Sequence, residues 1–495
     1  MARHRQLLTP GFFPLLKPAR FLAVSIGIYV LVMWGFCLWR YYSSALGDLD
    51  YAVFDQSCWT TLKYHWLMSN GVEGGTHFAV HNSPIFLLLM PIYALAPGAP
   101  TLLFLQSLAL GLGAIPVYLM AVRALPESMA RWLAIGYLMY HPVHGVNFDQ
   151  FNESAYATTP LLFAVWALTR ERWRVYWIGC ILALLVKEDE AFIVLLLGVY
   201  TMATGWRGDD RDRWARLAHG GLVATVAVAW GLFSFGWVLP HFQAQTGFQY
   251  FINERYGELG KTLPEVVRTI VTRPEVVVQR LSTWQRLWSI PDLLAPWAFL
   301  SLATPGLLLV SAPSMAINLL SNFETMQNSA SRYPAPIIPF VVMSAIATLS
   351  RLPEVHQGKW LKTCIGLTFG FSLLATPSPP RLGFHLPWID PHQRLLLRVA
   401  DAIPEEWAVS TQDDILPHVC HRKHAWKGFR EDADAILVDT TPRDRKPGET
   451  NKWYVEDGFP QSLQVAVQSG RWHLTWQQDG LALFTRANVP FGGPL

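Results

Sequence analysis

FLAVSIGIYVLVMWGFCLW (21–39), followed closely by GDLDYAVFDQSCW (47–59), decides the fold. The first stretch is long enough to cross a hydrocarbon core of about 30 Å as a helix. Arg3, Arg5, Lys17 and Arg20 precede it, and it lacks the short apolar core and small-residue cleavage site of a signal peptide. It therefore reads as an uncleaved first span, with residues 1–20 held in the cytoplasm by the positive-inside rule. The second stretch then delivers Asp48, Asp50 and Asp55 directly behind that span, on the opposite side of the membrane.

Composition supports a multi-pass membrane protein. Hydrophobic residues make up 52% of the 495 and charged ones 15%, against about 25% charged in soluble domains. A net charge of +3, with no basic cluster interleaved with aromatics, excludes nucleic acid as a partner. The five cysteines form no CxxC pair and three lie in apolar stretches, so a disulfide framework is not expected. The 22 tryptophans suit interfacial belts.

Working outward, SPIFLLLMPIYALAP (83–97) is short and carries three prolines, which reads as an interfacial or re-entrant helix. TLLFLQSLALGLGAIPVYLMAV (101–122) is a full span. Apolar stretches follow at 132–146, 155–169, 175–186, 191–204 and 217–240, then near 292–304, 305–320, 335–350 and 361–376. Together they predict about eleven crossings. Arg123 and Arg131, then Arg170, Arg172 and Arg174, then Arg207 to Arg216, then Arg351, Lys359 and Lys362 all fall in the cytoplasm if 83–97 does not cross. If it does cross, most of them move outside, so the charge pattern selects the first topology.

The outer face then holds the loops 40–100 and 241–291 and the segments 146–154, 187–190 and 321–334. A transmembrane region over 21–376 is expected to end there, leaving 377–495 as a small soluble α/β domain. WAVST (407–411) and AILVD (435–439) read as buried strands, and LQVAVQ (463–468) as an alternating one. WHLTWQQDGLALFTR (472–486) reads as a hairpin turning at Asp479-Gly480.

Acids and histidines gather on the outer side. Asp50 and Asp55 lie within about a turn and a half of one another on a helix. Such carboxylates could deprotonate an acceptor hydroxyl or hold a divalent cation; solvated loop acids are the plainer reading. His77 and His81 share a helical face, but two imidazoles are half a tetrahedral zinc site, and hydrogen bonding to backbone or substrate oxygens is the favoured role. HPVHGVNFDQFNESAY (141–156) supplies His141, His144, Asp149 and Glu153. Lys187-Glu188-Asp189-Glu190 stands between two apolar stretches with no turn residue, so it must face a polar cavity or pair internally. Arg255 and Tyr256 open a run of arginines among valines, spaced for amphipathic helices on the outer surface. Those arginines could clamp a phosphate or snorkel to lipid headgroups. Arg332-Tyr333 is a further outer cation. His418, His421 and His424 around Cys420 are metal-like in composition only, and no metal site is expected from them.

LDYAVFDQSCW, GGTHFAVHNSPIFLLLMPIYAL, FDQFNESAY, LLVKEDEAF and RYPAPIIPF together resemble a family of prokaryotic multi-pass membrane proteins of uncharacterised activity, over about residues 45–345. That family is similar to the GT-C glycosyltransferases, which use polyprenyl-phosphate sugars at the outer membrane face. The resemblance implies a GT-C-like helix bundle, with Asp50 at the position of the catalytic acid and Lys187 in the lysine-containing outer turn. The family's usual His in the FDxHxE-like segment is Asn152 here, and its usual His before Tyr is Arg332.

The expected function is an inverting glycosyltransferase of the inner (cytoplasmic) membrane, with a polyprenyl-phosphate sugar donor and an acceptor the sequence does not name. Asp50 would be the general base, with Asp55 beside it. His77, His81, Asp149, Glu153, Lys187, Glu188, Asp189, Arg255, Arg332 and Tyr333 would bind substrate, the cations among them facing the departing phosphate. No cofactor is fixed; a divalent metal on Asp50, His77 and His81 is the one candidate. A transporter that uses the same acids as an ion path, or a non-catalytic assembly factor, would be the alternatives. Broken midplane repeats would favour the transporter, and the sequence has none.

Overall fold

A computed structural model describes residues 16–43, 49–206, 210–248, 252–375, 388–441 and 451–486. Asp48 and most of 1–20 lie outside these. The first helix, Leu16–Ser43, turns Val24, Ile28 and Leu31 outward and packs Ile26, Tyr29, Val30 and Met33 into the main core. Exposed aliphatic residues along a helix this long suit contact with lipid chains. Among the described residues, three helices are long and apolar enough to cross a membrane alone: Ala19–Ser43, Ala99–Ala121 and Asp212–Thr246. Five shorter apolar helices accompany them, among them Ala155–Thr169, Trp173–Leu184 and Glu190–Gly205. Together these number eight among the described residues, against the expected figure of about eleven crossings.

Residues 83–97 form only a short helix, Ile85–Tyr93. At 1.5 Å per residue it is about 14 Å long, too short to span. Residues 241–291 hold the helices Leu263–Thr272, Pro274–Leu281 and Trp284–Leu294, with Val271, Val278 and Trp284 exposed. The stretches 292–304 and 305–320, expected as two continuous spans, are interrupted. Short 3-10 turns at Ala295–Trp297, Leu300–Ala303 and Leu309–Ser311 break them, next to Pro296 and Pro305. A proline lacks the N–H that would continue the helical ladder.

The loop behind the first helix is itself helical, Leu49–Tyr64. A two-residue ribbon, β1 (Ser69–Asn70) with β2 (Gly75–Thr76), follows it. The C-terminal region carries β3 (Val409–Thr411), β4 (Ala425–Lys427), β5 (Ala435–Asp439), β6 (Trp472–Gln478) and β7 (Leu481–Arg486) in the order β4-β3-β5-β7-β6. β3 runs parallel to β4 and β5, whereas β7 is antiparallel to both β5 and β6. Asp479 and Gly480 both have positive φ, at 49° and 81°, as a two-residue hairpin of this hand requires. LQVAVQ is not a strand. It belongs to the helix Phe459–Gln468, whose buried residues Phe459, Leu463 and Ala466 recur at helical spacing.

This sheet docks directly on the membrane region. Ala52 of the helix Leu49–Tyr64 belongs to the same core as Leu396, Val409, Leu437 and Leu483. Gly71 makes the contact close, since a Cβ there would lie 1.9 Å from the Ala425 carbonyl oxygen of β4.

Within the sheet region His392 is clamped between two acids, Nε2 to Asp439 at 2.9 Å and Nδ1 to Asp479 at 3.0 Å. Burial alone would lower its pKa, but the two carboxylates outweigh it and hold the value above 6.5. A raised folded value means the stabilisation is complete below about pH 6.5 and is lost as pH rises through that folded value. In His392→Gln that loss should be absent. Amide exchange in β5 and β7, followed from pH 5.5 to 9, checks this; identical pH profiles for both proteins would remove His392 from the account.

Candidate active site

Asp50 sits in the first turn of the helix Leu49–Tyr64, where the helix dipole favours a carboxylate. Its backbone N–H donates to Gln150 Oε1 at 3.2 Å, and its Oδ2 pairs with Arg332 Nη1. Arg332 also reaches Asp149, its backbone N–H donating to Oδ2 at 2.9 Å and its Nε lying 3.4 Å from the same oxygen. One guanidinium thus bridges Asp50 and Asp149. All three side chains are between a fifth and a third exposed, so the group is open to a substrate. Gly145 permits the approach: a Cβ there would meet the Ala330 backbone at 2.5 Å, two residues before Arg332.

A second, more deeply buried group lies around Lys187. Its ammonium is 3.4 Å from Asp189 and 3.9 Å from Glu153. Glu188 is fully buried; it pairs with His81 Nδ1 at 2.9 Å and accepts the Asn82 N–H at 2.9 Å. His77 pairs through Nδ1 with Glu73 at 2.9 Å, its ring 5.8 Å from that of His81. Burial pulls the Lys187 pKa down, but Asp189, Glu153 and Glu188 outweigh it and hold the ammonium charged. Burial pushes Glu153 up, and His81, Lys187 and His77 overcome that, keeping it ionised. Lys187, Glu188 and Glu153 thus pair internally, the arrangement that makes buried charge tolerable, whereas burial pushes the carboxyl of Glu190 well up.

Tyr256 lies near the second group. It lies within electrostatic reach of Arg255, Asp189, Lys187 and Tyr333, and Tyr333 acts in turn on Arg332. Burial pushes the Tyr256 hydroxyl up to about 12, so it stays protonated, donating to the Ile317 carbonyl at 2.9 Å. Asp189, Arg255 and Tyr256 form the polar end of a cavity of about 230 Å³ otherwise lined by residues such as Phe192, Val266 and Ile317. A larger apolar cavity of about 550 Å³, between the helices Glu190–Gly205 and Asp210–Phe233, shares Phe192, Phe235, Ile252 and Leu263 with it.

Asp55 does not join Asp50. It is buried against the C-terminal region, accepting from Tyr93 Oη at 2.6 Å and the Ala99 N–H at 3.0 Å, and pairing with His421 Nε2 at 2.9 Å. Nor do Asp50, His77 and His81 converge as metal donors: each carries a different carboxylate or cation partner. Among the described residues, the one group of three or more ligand atoms close enough to share an ion is Asp55, Cys420 and His421. Sequence reading also missed Glu73, although its spacing of four from His77 was visible, and Gln150, which no local pattern marks.

The model of the family described as predicted membrane protein (DUF2079) matches residues 40–483. The chain belongs to the DUF2079 family. Among curated proteins, nothing matches it. Solved structures similar to this DUF2079 chain include ArnT from Cupriavidus metallidurans bound to undecaprenyl phosphate. That likeness has a TM-score of 0.53 at 13% identity and covers 96% of this chain and 99% of that one. The apo form of the same ArnT gives a TM-score of 0.51 at 13% identity, covering 94% and 98%. The DUF2079 chain is thus of a family described as predicted membrane proteins, and it shares its fold with ArnT.

Proposed function

We propose that this chain is a glycosyltransferase of the inner membrane that moves a sugar from a polyprenyl-phosphate donor to an acceptor at the outer face. The observation that carries the reading is the pair of neighbouring apolar cavities that share Phe192, Phe235, Ile252 and Leu263, the smaller also lined by Asp189, Arg255 and Tyr256. An isoprenoid tail suits the apolar chambers, and its phosphate suits the cationic end. The fold shared with an ArnT solved with undecaprenyl phosphate supports the same choice.

In this reading residues 1–20 are cytoplasmic, 21–376 form the transmembrane region, and 377–495 stand on the outer side. Asp50 takes the proton from an acceptor hydroxyl as its oxygen attacks the anomeric carbon. The bond from that carbon to the phosphate oxygen breaks, and the lipid phosphate leaves with the bonding electrons. Lys187 and Arg255 stabilise the charge that develops on it. Arg332 orients Asp50, with Asp149 holding the guanidinium in plane. Tyr333, His77, His81, Glu153, Glu188 and Asp189 line and set the charge of the donor site. Asp55 serves instead to fasten the C-terminal region.

The test is turnover by the full chain in lipid nanodiscs, offered a panel of polyprenyl-phosphate sugars. Release of polyprenyl phosphate is the expected result. Absence of both binding and release across the panel would overturn the assignment.

A further inference from the structure

We propose that Asp55, Cys420 and His421 form a metal site, suited to zinc, that clamps the C-terminal sheet region onto the outer-face helix Leu49–Tyr64. It is independent of the transferase reading. The three donors come from two distant parts of the chain, yet their ligand atoms all lie within 4.8 Å of one another. Cys420 Sγ is 3.8 Å from Asp55 Oδ2 and His421 Nε2 is 2.9 Å from the same oxygen. Zinc bonded at its usual lengths to sulfur, nitrogen and oxygen in a tetrahedron would set these separations at ~3.3–3.5 Å. The two separations from Asp55 therefore change by no more than about half an ångström on coordination, with Cys420 Sγ and His421 Nε2 closing from within 4.8 Å.

The donor set selects the cation. One thiol, one imidazole and one carboxylate suit a borderline-soft ion, whereas calcium and magnesium require several oxygens. Binding would convert the Cys420 thiol to a thiolate and release its proton to solvent.

The surroundings are those of a held site. Tyr93 Oη fixes Asp55 Oδ1 at 2.6 Å, and the Ala99 N–H fixes Oδ2 at 3.0 Å. Trp59 stacks on the His421 ring at 5.6 Å and 16°. Gln56 donates to the Arg422 carbonyl at 3.2 Å, and Arg422 in turn donates to the Pro404 and Trp407 carbonyls, which pins the loop bearing both tail donors. Outer partners of this kind orient metal ligands. Asp55 and Cys420 are buried, and the His421 side chain, 38% exposed, is the donor that faces solvent.

The experiment uses the full chain in detergent, stripped of metal and titrated with zinc or cobalt. The expected result is one zinc per chain and, with cobalt, a near-ultraviolet thiolate-to-metal absorption band. Cys420→Ser should remove the band, and His421→Ala should weaken binding at least about tenfold, while Cys58→Ser keeps both. Should the substitutions disturb folding, the wild-type chain still decides: zinc should raise the melting temperature, and magnesium should not. No stoichiometric zinc, a cobalt band that survives in Cys420→Ser, or a melting temperature unaffected by zinc would each overturn the site, leaving a hydrogen-bonded latch.

Discussion

Asp50→Asn is expected to lower sugar transfer by about 10²–10⁴-fold, the usual worth of a positioned general base, while leaving donor binding within about threefold. The substitution keeps the shape of the side chain and leaves the backbone N–H bond to Gln150 in place. Arg332 retains Asp149 as its counter-charge, so no cation is left alone in the site. What is lost is the proton acceptor. Single-turnover release of polyprenyl phosphate, beside equilibrium binding of the donor, separates the two effects. Turnover within about tenfold of wild type would remove Asp50 from the role of base. A loss of binding as large as the loss of turnover would instead make it a donor ligand.

The second large effect is on stability. Glu188→Ala removes a carboxylate that is fully buried and occupied at both oxygens, by His81 and by the Asn82 N–H. It also removes one of three acids that keep Lys187 charged. Breaking one side of a buried charge network costs about 3–5 kcal/mol, because the remaining partners stay buried without compensation. The melting midpoint of the full chain should fall by roughly 3–5 °C. Glu188→Gln, which can still accept from Asn82, should fall by less. A midpoint for Glu188→Ala within about 2 °C of wild type would show that the network is solvated rather than sealed.

Several features of the fold were legible in the sequence for identifiable reasons. The first helix and the short 83–97 segment follow from the length and purity of apolar runs, which a membrane reads along the chain. The hairpin at Asp479-Gly480 follows from two residues that tolerate positive φ. LQVAVQ misled because Leu463, Val465 and Val467 alternate, while Phe459, Leu463 and Ala466 also satisfy the helical period. In the structure Gly458, at φ 74°, and Pro460 at the helix start go with the second period. The interrupted stretches at 292–320 misled in the opposite way, since hydropathy counts Pro296 and Pro305 as neutral whereas the backbone does not.

The candidate site divides in the same manner. Composition alone marked Asp50, Asp149, Lys187, Glu188 and Arg332, because a charge beside an apolar run is costly and conspicuous. Their pairings were not readable. Asp50 meets Arg332 across 282 positions and Asp55 meets His421 across 366, and nothing local to either residue records its partner. Asp50 and Asp55 looked alike as neighbouring acids on one helix. The tertiary fold gives the first to a solvent-accessible guanidinium and buries the second against the C-terminal region. Hydropathy and charge act residue by residue, so the sequence by itself determined that this chain enters a membrane and which segments carry its acids. Pairing depends on which helix ends and loops are packed side by side, and only the folded arrangement of the whole chain decides that.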